Sequence, residues 1–295
     1  MSETSSLQPV KIHTPDTIKQ IGIEALLKSF LRHETLGERG VEMVKKNQFG
    51  DMAMRGDIEA EDAVIQYLKE QNFPITLRSE EHGETHIGSS PTHFGVLDGI
   101  DGSAWYSSAR GVGRYGTLLG IYEGTDPMYK DYLFSGIMEH ATKRVLYGVK
   151  GKGSFAYDVV SGSTTPIHTS STTVLDTKIH IHIDQYWEIN KTTFMIPLKG
   201  YNILDYHLCS SVHYANVALG ISDLALECTR KNNLEIAAVF GLIREAGGVI
   251  MTRDGKDISE LQYRTFGQLS KVPVITAASQ QLAEDVIRQL KKKRS

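Results

Sequence analysis

Cysteine is scarce in this sequence, with two residues, Cys209 and Cys228, among 295. Two cysteines are too few for a disulfide scaffold, and neither lies in a Cys-x-x-Cys pair. We therefore expect both cysteines to be small core residues, and we expect the protein to occupy a reducing compartment. No apolar run approaches the length of a membrane span, and the polar segment from Met1 to Pro9 lacks a signal-peptide core. We expect a cytoplasmic protein with no membrane partner.

A strong charge of either sign is also missing. The chain has 32 Lys and Arg against 35 Asp and Glu, for a formal net charge of -3 at pH 7. This balance argues against a broad nucleic-acid-binding surface, so we expect no nucleic-acid partner. Hydrophobic residues at 40% and charged residues at 23% are ordinary for a globular protein. The length allows a sizeable core, in one large domain or two smaller ones.

Hydrophobic periodicity predicts mixed α and β structure along the whole chain. In the first half we expect helices over 15–31, 38–47 and from Asp57, which reads as an N-cap, and strands over 75–77, 116–122, 133–140 and 144–148. In the second half we expect strands over 178–183, 193–197, 203–208, 223–227, 248–252 and 273–277, and helices over 210–219, 234–246 and 280–292. Such alternation indicates layered α/β packing. The Ser- and Thr-rich stretch 160–176 is the best candidate for a crossing between an N-terminal α+β half, 1–165, and a C-terminal α/β half, 166–295.

The stretch from Gly95 to Ser103, Gly-Val-Leu-Asp-Gly-Ile-Asp-Gly-Ser, carries two carboxylates three positions apart. We interpret it as the end of a buried strand, a tight turn and the first turn of a helix. The turn would bring Asp101 back toward Asp98, and Gly102 would let the backbone approach a ligand. Carboxylates that close repel each other unless cations lie between them, so a metal-phosphate site is one interpretation. An acidic turn with an N-cap serine is the other.

Further acidic side chains occur at element junctions, at Asp57, Glu80-Glu81 and Glu235. Each has an ordinary structural explanation, such as a helix cap or a first-turn acid that complements the helix dipole. Together with Asp98 and Asp101 they are the oxygen ligands that two or three Mg²⁺ ions would need.

The chain resembles the inositol monophosphatase superfamily, which includes inositol monophosphatases, archaeal-type fructose-1,6-bisphosphatases and 3'-phosphoadenosine nucleotidases. The resemblance rests on Ser79-Glu80-Glu81, on Leu97 to Ser103, on Ser210 to Asp223, and on Leu234-Glu235-Ile236-Ala237-Ala238 followed by Glu245-Ala246-Gly247-Gly248. It implies a layered αβαβα sandwich, a Mg²⁺-dependent phosphatase with two or three ions, and a homodimer. An aspartyl-phosphate hydrolase would instead require Asp-x-Asp, with a spacing of two, whereas Asp98 and Asp101 are three positions apart.

The resemblance also implies roles for the acids. Glu80, Asp98 and the Ile100 carbonyl would hold a first metal ion. Asp98, Asp101 and Glu235 would hold a second ion.

A third, weaker ion would lie near Glu80, with Glu81 as a further candidate ligand. Gly102 and Ser103 would offer backbone amides to the phosphate. Asp57 would pair with the Ser103 hydroxyl to orient or deprotonate the attacking water.

Three departures from the family pattern stand out. Gly99 replaces the usual proline of Asp-Pro-Ile-Asp-Gly, which makes the turn less stiff in the unfolded chain. Leu234-Glu235 replaces the usual Trp-Asp, so the second metal site would be displaced or weaker. The family's inositol-contacting acid lies seven residues before that position, whereas Glu227 lies eight before Glu235. This difference puts the specificity contact of Glu227 in question.

The leading hypothesis is a Mg²⁺-dependent phosphatase of small phosphorylated polyols or sugars, with inositol monophosphate as the default substrate. Metal ions suit this chemistry because they neutralise a phosphate dianion that otherwise repels hydroxide. A sugar bisphosphate would need a second cationic pocket, for which the candidates are Arg110, Arg114, Arg230 and Lys231. A nucleotide would need an adenine slot, which Trp105 and Tyr106 could line. A non-catalytic metal-binding regulatory protein is the alternative from another class.

Overall fold

A computed structural model describes residues 14–109, 113–185, 187–204 and 209–292. Its helices are α1 (Pro15–Leu36), α2 (Arg55–Glu70), α3 (Ser103–Ala109), α4 (Glu188–Asn190), α5 (Ser210–Ala218), α6 (Leu234–Glu245) and α7 (Gln280–Lys292). Its strands are β1 (Met43–Lys46), β2 (Met52–Met54), β3 (Ile75–Ser79), β4 (Gly83–Ile87), β5 (His93–Asp101), β6 (Gly116–Glu123), β7 (Tyr132–Glu139), β8 (Arg144–Val149), β9 (Gly153–Asp158), β10 (Thr164–Ile167), β11 (Ile181–Ile183), β12 (Leu224–Cys228), β13 (Val249–Thr252) and β14 (Pro273–Ala277). Within these residues no helix is both long and apolar enough to cross a bilayer.

The elements form five layers. Helices α1 and α2 pack on one face of an eight-stranded sheet with the strand order β10-β9-β8-β7-β6-β5-β3-β4. Helices α5 and α6 cover the other face of that sheet and also contact a four-stranded sheet, ordered β11-β12-β14-β13. Helix α7 packs on the outer side of this second sheet. The predicted layered αβαβα sandwich is confirmed.

The middle of the large sheet is covered on both faces, which explains why β5 reads as a continuous buried run. Phe94 and Val96 of β5 pack toward α6, whereas Leu97 packs toward α1 and α2. Helix α6 lies very close to the sheet, because a Cβ at Gly120 would lie 3.0 Å from the Ala238 Cα. This close packing fixes the height of α6 and therefore of the glutamate in its first turn.

Two predicted elements are wrong. The helix expected over 38–47 is a 3-10 turn, Gly37–Val41, followed by β1, which pairs antiparallel with β2. A tertiary contact accounts for the turn, since a Cβ at Gly40 would lie 1.6 Å from the Tyr106 hydroxyl. The strand expected over 193–197 is a π-helical turn, Lys191–Met195, whose Phe194 is buried in the core around the small sheet. A short apolar run does not distinguish a strand from a buried helical turn by periodicity alone.

The sequence did not predict β2, β4, β9 or β10. Other differences concern boundaries. The strand expected over 178–183 covers only Ile181–Ile183, which runs parallel to β12. Of the strand expected over 203–208, Ile203 forms a single bridge to Ile181, and 205–208 lie outside the described residues.

Candidate active site

A cavity of about 520 Å³ lies between residues of the two predicted halves of the chain. Eight carboxylates line it, on Asp51, Asp57, Glu80, Glu81, Asp98, Asp101, Asp184 and Glu235. The Lys and Arg residues that line it are Arg230 and Lys231. Two cations against eight carboxylates leave an excess of acidic oxygen ligands, so the lining suits a cation inside the cavity.

The centre of the cavity is formed by Asp98, Asp101 and Glu235. The first two lie at the end of β5, where the pairing with β6 shifts register between them, and Glu235 lies in the first turn of α6. All three are buried, and one carboxylate oxygen of each lies within 4.8 Å of the other two. Burial, followed by the charges of Glu80, Asp101 and Glu235, raises the pKa of Asp98 well above its usual value. Such close carboxylates fit a bound divalent cation.

Gly102 and Ser103 follow directly and also line the cavity. Gly102 has a φ of +101°, and a Cβ there would lie 2.7 Å from the Cys209 Sγ. Only glycine fits both the conformation and the space. The residues that the sequence assigned to phosphate binding therefore lie beside the three central acids.

Asp57 lies on the cavity wall, but it is not the N-cap of α2, and that prediction is wrong. Helix α2 begins at Arg55, and the carboxylate of Asp57 accepts a hydrogen bond from the amide of Met54, the true N-cap. Asp57 therefore caps the amide that precedes the helix from inside the first turn. Burial is the main cause that raises the pKa of Asp57 well above its usual value, and the nearby charge of Glu81 raises it further.

Glu80 and Glu81 lie in the turn after β3, and Asn47 donates hydrogen bonds to both carboxylates, at 3.1 and 3.2 Å. Burial raises the pKa of Glu81 to about 7. The second oxygen of Glu81, Oε2, is buried and has no hydrogen-bond partner among the described residues. A buried carboxylate oxygen without a hydrogen-bond partner, next to the cavity, is what a metal ligand would look like before the ion binds.

The structure adds Glu61, which the sequence analysis missed as part of the site. Glu61 is fully buried on α2, and its Oε1 accepts hydrogen bonds from the amides of Glu80, at 3.0 Å, and Glu81, at 3.2 Å. It also bonds the His82 ring at 2.7 Å. Glu61 therefore fixes the backbone from which both acids project. Its position one helical turn after Asp57 is the sequence signal that could have found it.

The second addition is Asp184, directly after β11, whose Oδ2 lies 3.7 Å from the Arg230 Nε. The strand predicted over 178–183 ends directly before this acid, which was not predicted as part of the site. Trp187 lines the cavity in the same segment.

The candidate cations have different positions. The Arg230 Nη1 lies 2.9 Å from the Glu235 Oε1, and the Lys231 Nζ lies 2.6 Å from the Glu80 Oε1. Arg114 does not line the cavity and instead binds Glu139 at 3.0 Å and Asn216 at 2.8 Å. Arg110 lies outside the described residues. The cations that reach the cavity are thus paired with its acids.

The two aromatic residues proposed to line an adenine slot lie in different places. Trp105 lines the cavity, but Tyr106 is fully buried beneath it, against His33 and Tyr115. Tyr106 therefore does not line an adenine slot.

Glu227 is buried on β12 behind the cavity wall. It accepts a hydrogen bond from the Ser210 hydroxyl, at 2.9 Å, and a second from the Tyr214 hydroxyl. Ser210 itself lines the cavity, whereas Glu227 is not among the lining residues. Glu227 therefore supports Ser210 from behind, and Ser210 lies between Glu227 and the cavity.

Comparisons with known proteins agree with this geometry. The inositol monophosphatase family model matches residues 10–295. The fructose-1,6-bisphosphatase/inositol-1-monophosphatase of Methanothermobacter thermautotrophicus is 24% identical over 84% of this chain and 87% of its own length. The bifunctional NADP phosphatase/NAD kinase of Methanococcus maripaludis is 27% identical over 75% of this chain but only 40% of its own length.

The solved structures show the same architecture. The Thermotoga maritima IMPase superimposes with a TM-score of 0.73 at 18% identity, covering 93% of this chain and 97% of its own. The family is metal-dependent, and the cluster of Asp98, Asp101 and Glu235 could hold a metal ion. With the family match spanning nearly the whole chain, this protein belongs to the inositol monophosphatase family and is a phosphatase.

Proposed function

We propose that this phosphatase is Mg²⁺-dependent and hydrolyses the phosphate monoester of a small polyol or sugar, with inositol monophosphate as the default substrate. The observation that carries the proposal is the set of three buried carboxylates, on Asp98, Asp101 and Glu235, within 4.8 Å of one another. They line a cavity of about 520 Å³, which is large enough for a small ligand.

The proposed metal ligands are the carboxylates of Glu80, Asp98, Asp101 and Glu235, with the Ile100 carbonyl and Glu81. All six residues line the cavity. Two or three Mg²⁺ ions, when bound, would supply positive charge to the phosphate and its leaving oxygen and would acidify a water molecule.

The remaining roles belong to Asp57, Gly102 and Ser103. Asp57 is held at the cavity wall by the amide of Met54. With Ser103 it would orient the attacking water and accept its proton, a task suited to a carboxylate whose pKa is raised by burial. Gly102 and Ser103 would turn their amides toward the phosphate, and Ser210, supported by Glu227, would contact the rest of the substrate.

A nucleotide phosphate is the second candidate, because a further cavity of about 320 Å³ shares Trp187, Arg230 and Lys231 with the first. Its lining includes Phe49 and the fully exposed Leu269, which suit a planar base better than a polyol. The name of the Methanococcus relative, NADP phosphatase, agrees with such a substrate. A bisphosphate is less favoured, since Arg230 and Lys231 already pair with acids.

We also propose a cytoplasmic homodimer in which each chain has two halves, 1–165 and 166–295. The lining of the cavity by residues from both halves supports a site between them. The assembly proposal rests on the family, and sedimentation of the purified protein tests it directly.

The deciding experiment measures phosphate release at fixed Mg²⁺ from inositol 1-phosphate, fructose 1,6-bisphosphate, 3'-phosphoadenosine 5'-phosphate and NADP, each with a chelator control. Fastest turnover of inositol 1-phosphate would support the default substrate. Fastest turnover of either nucleotide would support the second candidate. Release that persists in the chelator would contradict the metal dependence.

A further inference from the structure

Lys231 reaches into the acidic cavity at a position where a metal ion is expected. Its Nζ lies 2.6 Å from the Glu80 Oε1 and 3.2 Å from the Asp51 Oδ2. The Lys231 side chain is only 21% exposed and that of Glu80 12%, so this pair is shielded from water. Shielded charges at this distance attract each other far more strongly than a pair on the surface does.

The backbone that delivers Lys231 is unusual and firmly held. Lys231, Asn232 and Asn233 have φ values of +43°, +58° and +58°, a left-handed run that non-glycine residues seldom adopt. The Asn233 side chain donates a hydrogen bond to the Tyr129 hydroxyl at 2.5 Å, and the Gln268 side chain donates one to the Asn232 carbonyl at 2.9 Å. The loop is therefore built to hold the ammonium inside the cavity.

Arg230, the neighbouring cation, has a different set of partners. It pairs with Glu235 at 2.9 Å and also faces Asp184, at 3.7 Å, and Asp101, at 3.9 Å. The two cations thus divide the acids between them, and Glu80 belongs to Lys231. A divalent ion must come within about 2.1 Å of a carboxylate oxygen to bind it, and at Glu80 the charge of the nearby ammonium would repel such an ion.

We propose that the Lys231 ammonium is a tethered cation that competes with one divalent ion for the Glu80 carboxylate. The ion at Glu80 is then taken up only at a higher concentration than it would be without the ammonium. The inference rests on the metal binding of the proposed function but not on the identity of the substrate. It gives Lys231 a role in setting the number of ions that are bound at a given metal concentration.

The test is a Mn²⁺ titration of the purified full-length protein, with free Mn²⁺ measured by electron paramagnetic resonance. The wild type should show one tighter and one weaker class of site. In Lys231→Met, which removes the charge and keeps most of the bulk, one of the two classes should bind at least about tenfold more tightly, a change of roughly 1.4 kcal/mol. Lys231→Arg, which keeps the charge, should resemble the wild type.

A matched control is Lys45→Met, because Lys45 also lies near this turn but donates to the Glu81 backbone carbonyl, at 3.3 Å, and not to a carboxylate. Equal affinities in the wild type and Lys231→Met would overturn the proposal. An equal gain in Mn²⁺ affinity in Lys45→Met would also overturn it, because the gain would then follow from the change in net charge alone. Circular dichroism identifies a variant that is misfolded, and Lys231→Ala then replaces it.

The two proposals can fail separately. If none of the phosphate esters is hydrolysed but Lys231→Met still binds Mn²⁺ more tightly, the proposed function fails and the role of Lys231 stands. If hydrolysis is Mg²⁺-dependent and the titrations coincide, the role of Lys231 fails alone.

Discussion

The Nη1 of Arg230 lies 2.9 Å from the Oε1 of Glu235 in the cavity wall. Glu235 thereby belongs both to the cluster of three central acids and to an ion pair. Its carboxyl has a pKa raised to about 8 by burial, and the charge of Arg230 opposes that rise. The guanidinium therefore offsets part of the cost of keeping several acids together in a buried site before a metal ion binds.

Arg230→Gln should destabilise the protein most when no metal ion is present. The substitution leaves Glu235, Asp101 and Asp184 without their shared cation, and breaking a buried ion pair costs about 3–5 kcal/mol. Because Arg230 keeps some exposure, we expect the lower end of that range. The measurement is thermal unfolding in chelator and in excess Mg²⁺, which should restore part of the loss. A loss of the same size in both solutions would contradict this explanation, and Arg230→Lys is the charge-preserving control.

Asp98→Asn should reduce Mg²⁺-dependent phosphate release by at least about 100-fold. Asp98 is a proposed ligand of both ions, and losing a metal ligand lowers activity more than losing a side chain that only supports a ligand. The measurement is the initial rate at saturating Mg²⁺ on the best substrate. Asp16→Asn is a matched control on the exposed first turn of α1 and should retain the wild-type rate. A rate unaffected in Asp98→Asn would refute the assignment.

Gly99→Ala should lower both stability and activity. A Cβ at residue 99 would lie 2.3 Å from the Asp57 carbonyl oxygen, and a backbone atom cannot rotate away. We expect a loss of about 1–3 kcal/mol in the free energy of unfolding, together with displacement of Asp57. The proline that is usual in the family also carries a Cβ and would meet the same oxygen in this backbone.

Gly95→Ala is the matched control for this change on the same strand, because there the nearest atoms are the methyl ends of Ile75 and Leu77. It should cost stability but leave the phosphate-release rate closer to the wild type. Urea unfolding and initial rates for both variants check the prediction, and equal effects of the two substitutions on rate would contradict it.

Glu227→Gln should flatten the pH dependence of stability. Burial raises the pKa of Glu227 from 4.5 to about 7, so the folded protein binds more protons than the unfolded chain between those values. The wild type therefore loses stability as pH rises through this window, by an amount on the order of 2–3 kcal/mol from this group. The glutamine can still accept a hydrogen bond from one of the Ser210 and Tyr214 hydroxyls and donate one to the other. Urea unfolding at pH 5 and pH 7.5 in chelator measures the difference.

The control for this prediction is Glu188→Gln, which changes an exposed acid in α4. It should follow the pH dependence of the wild type. A Glu227→Gln variant whose stability falls as steeply as the wild type between pH 5 and 7.5 would show that other groups carry the titration.

The acidic motifs predicted much of the cavity lining because strand ends and first helical turns are visible in local sequence. Asp98, Asp101 and Glu235 come together as expected, and Gly102 and Ser103 lie beside them. Asp184 could have been found in the same way, since it follows a predicted strand. The helix expected over 38–47 failed because the contact between Gly40 and Tyr106 joins residues far apart in the chain.

By itself the sequence determined the family, the layered architecture and the central acids, since each depends on periodicity or on short motifs within one segment. Only the tertiary structure decided where Arg230 and Lys231 point, which of them pairs with Glu80, and that Glu227 lies behind Ser210. The pairing of Lys231 with Glu80 depends on how a loop after β12 meets the turn after β3, about 150 residues earlier. Pairing over such a distance is set by packing of the layers, for which a single sequence carries no local signal.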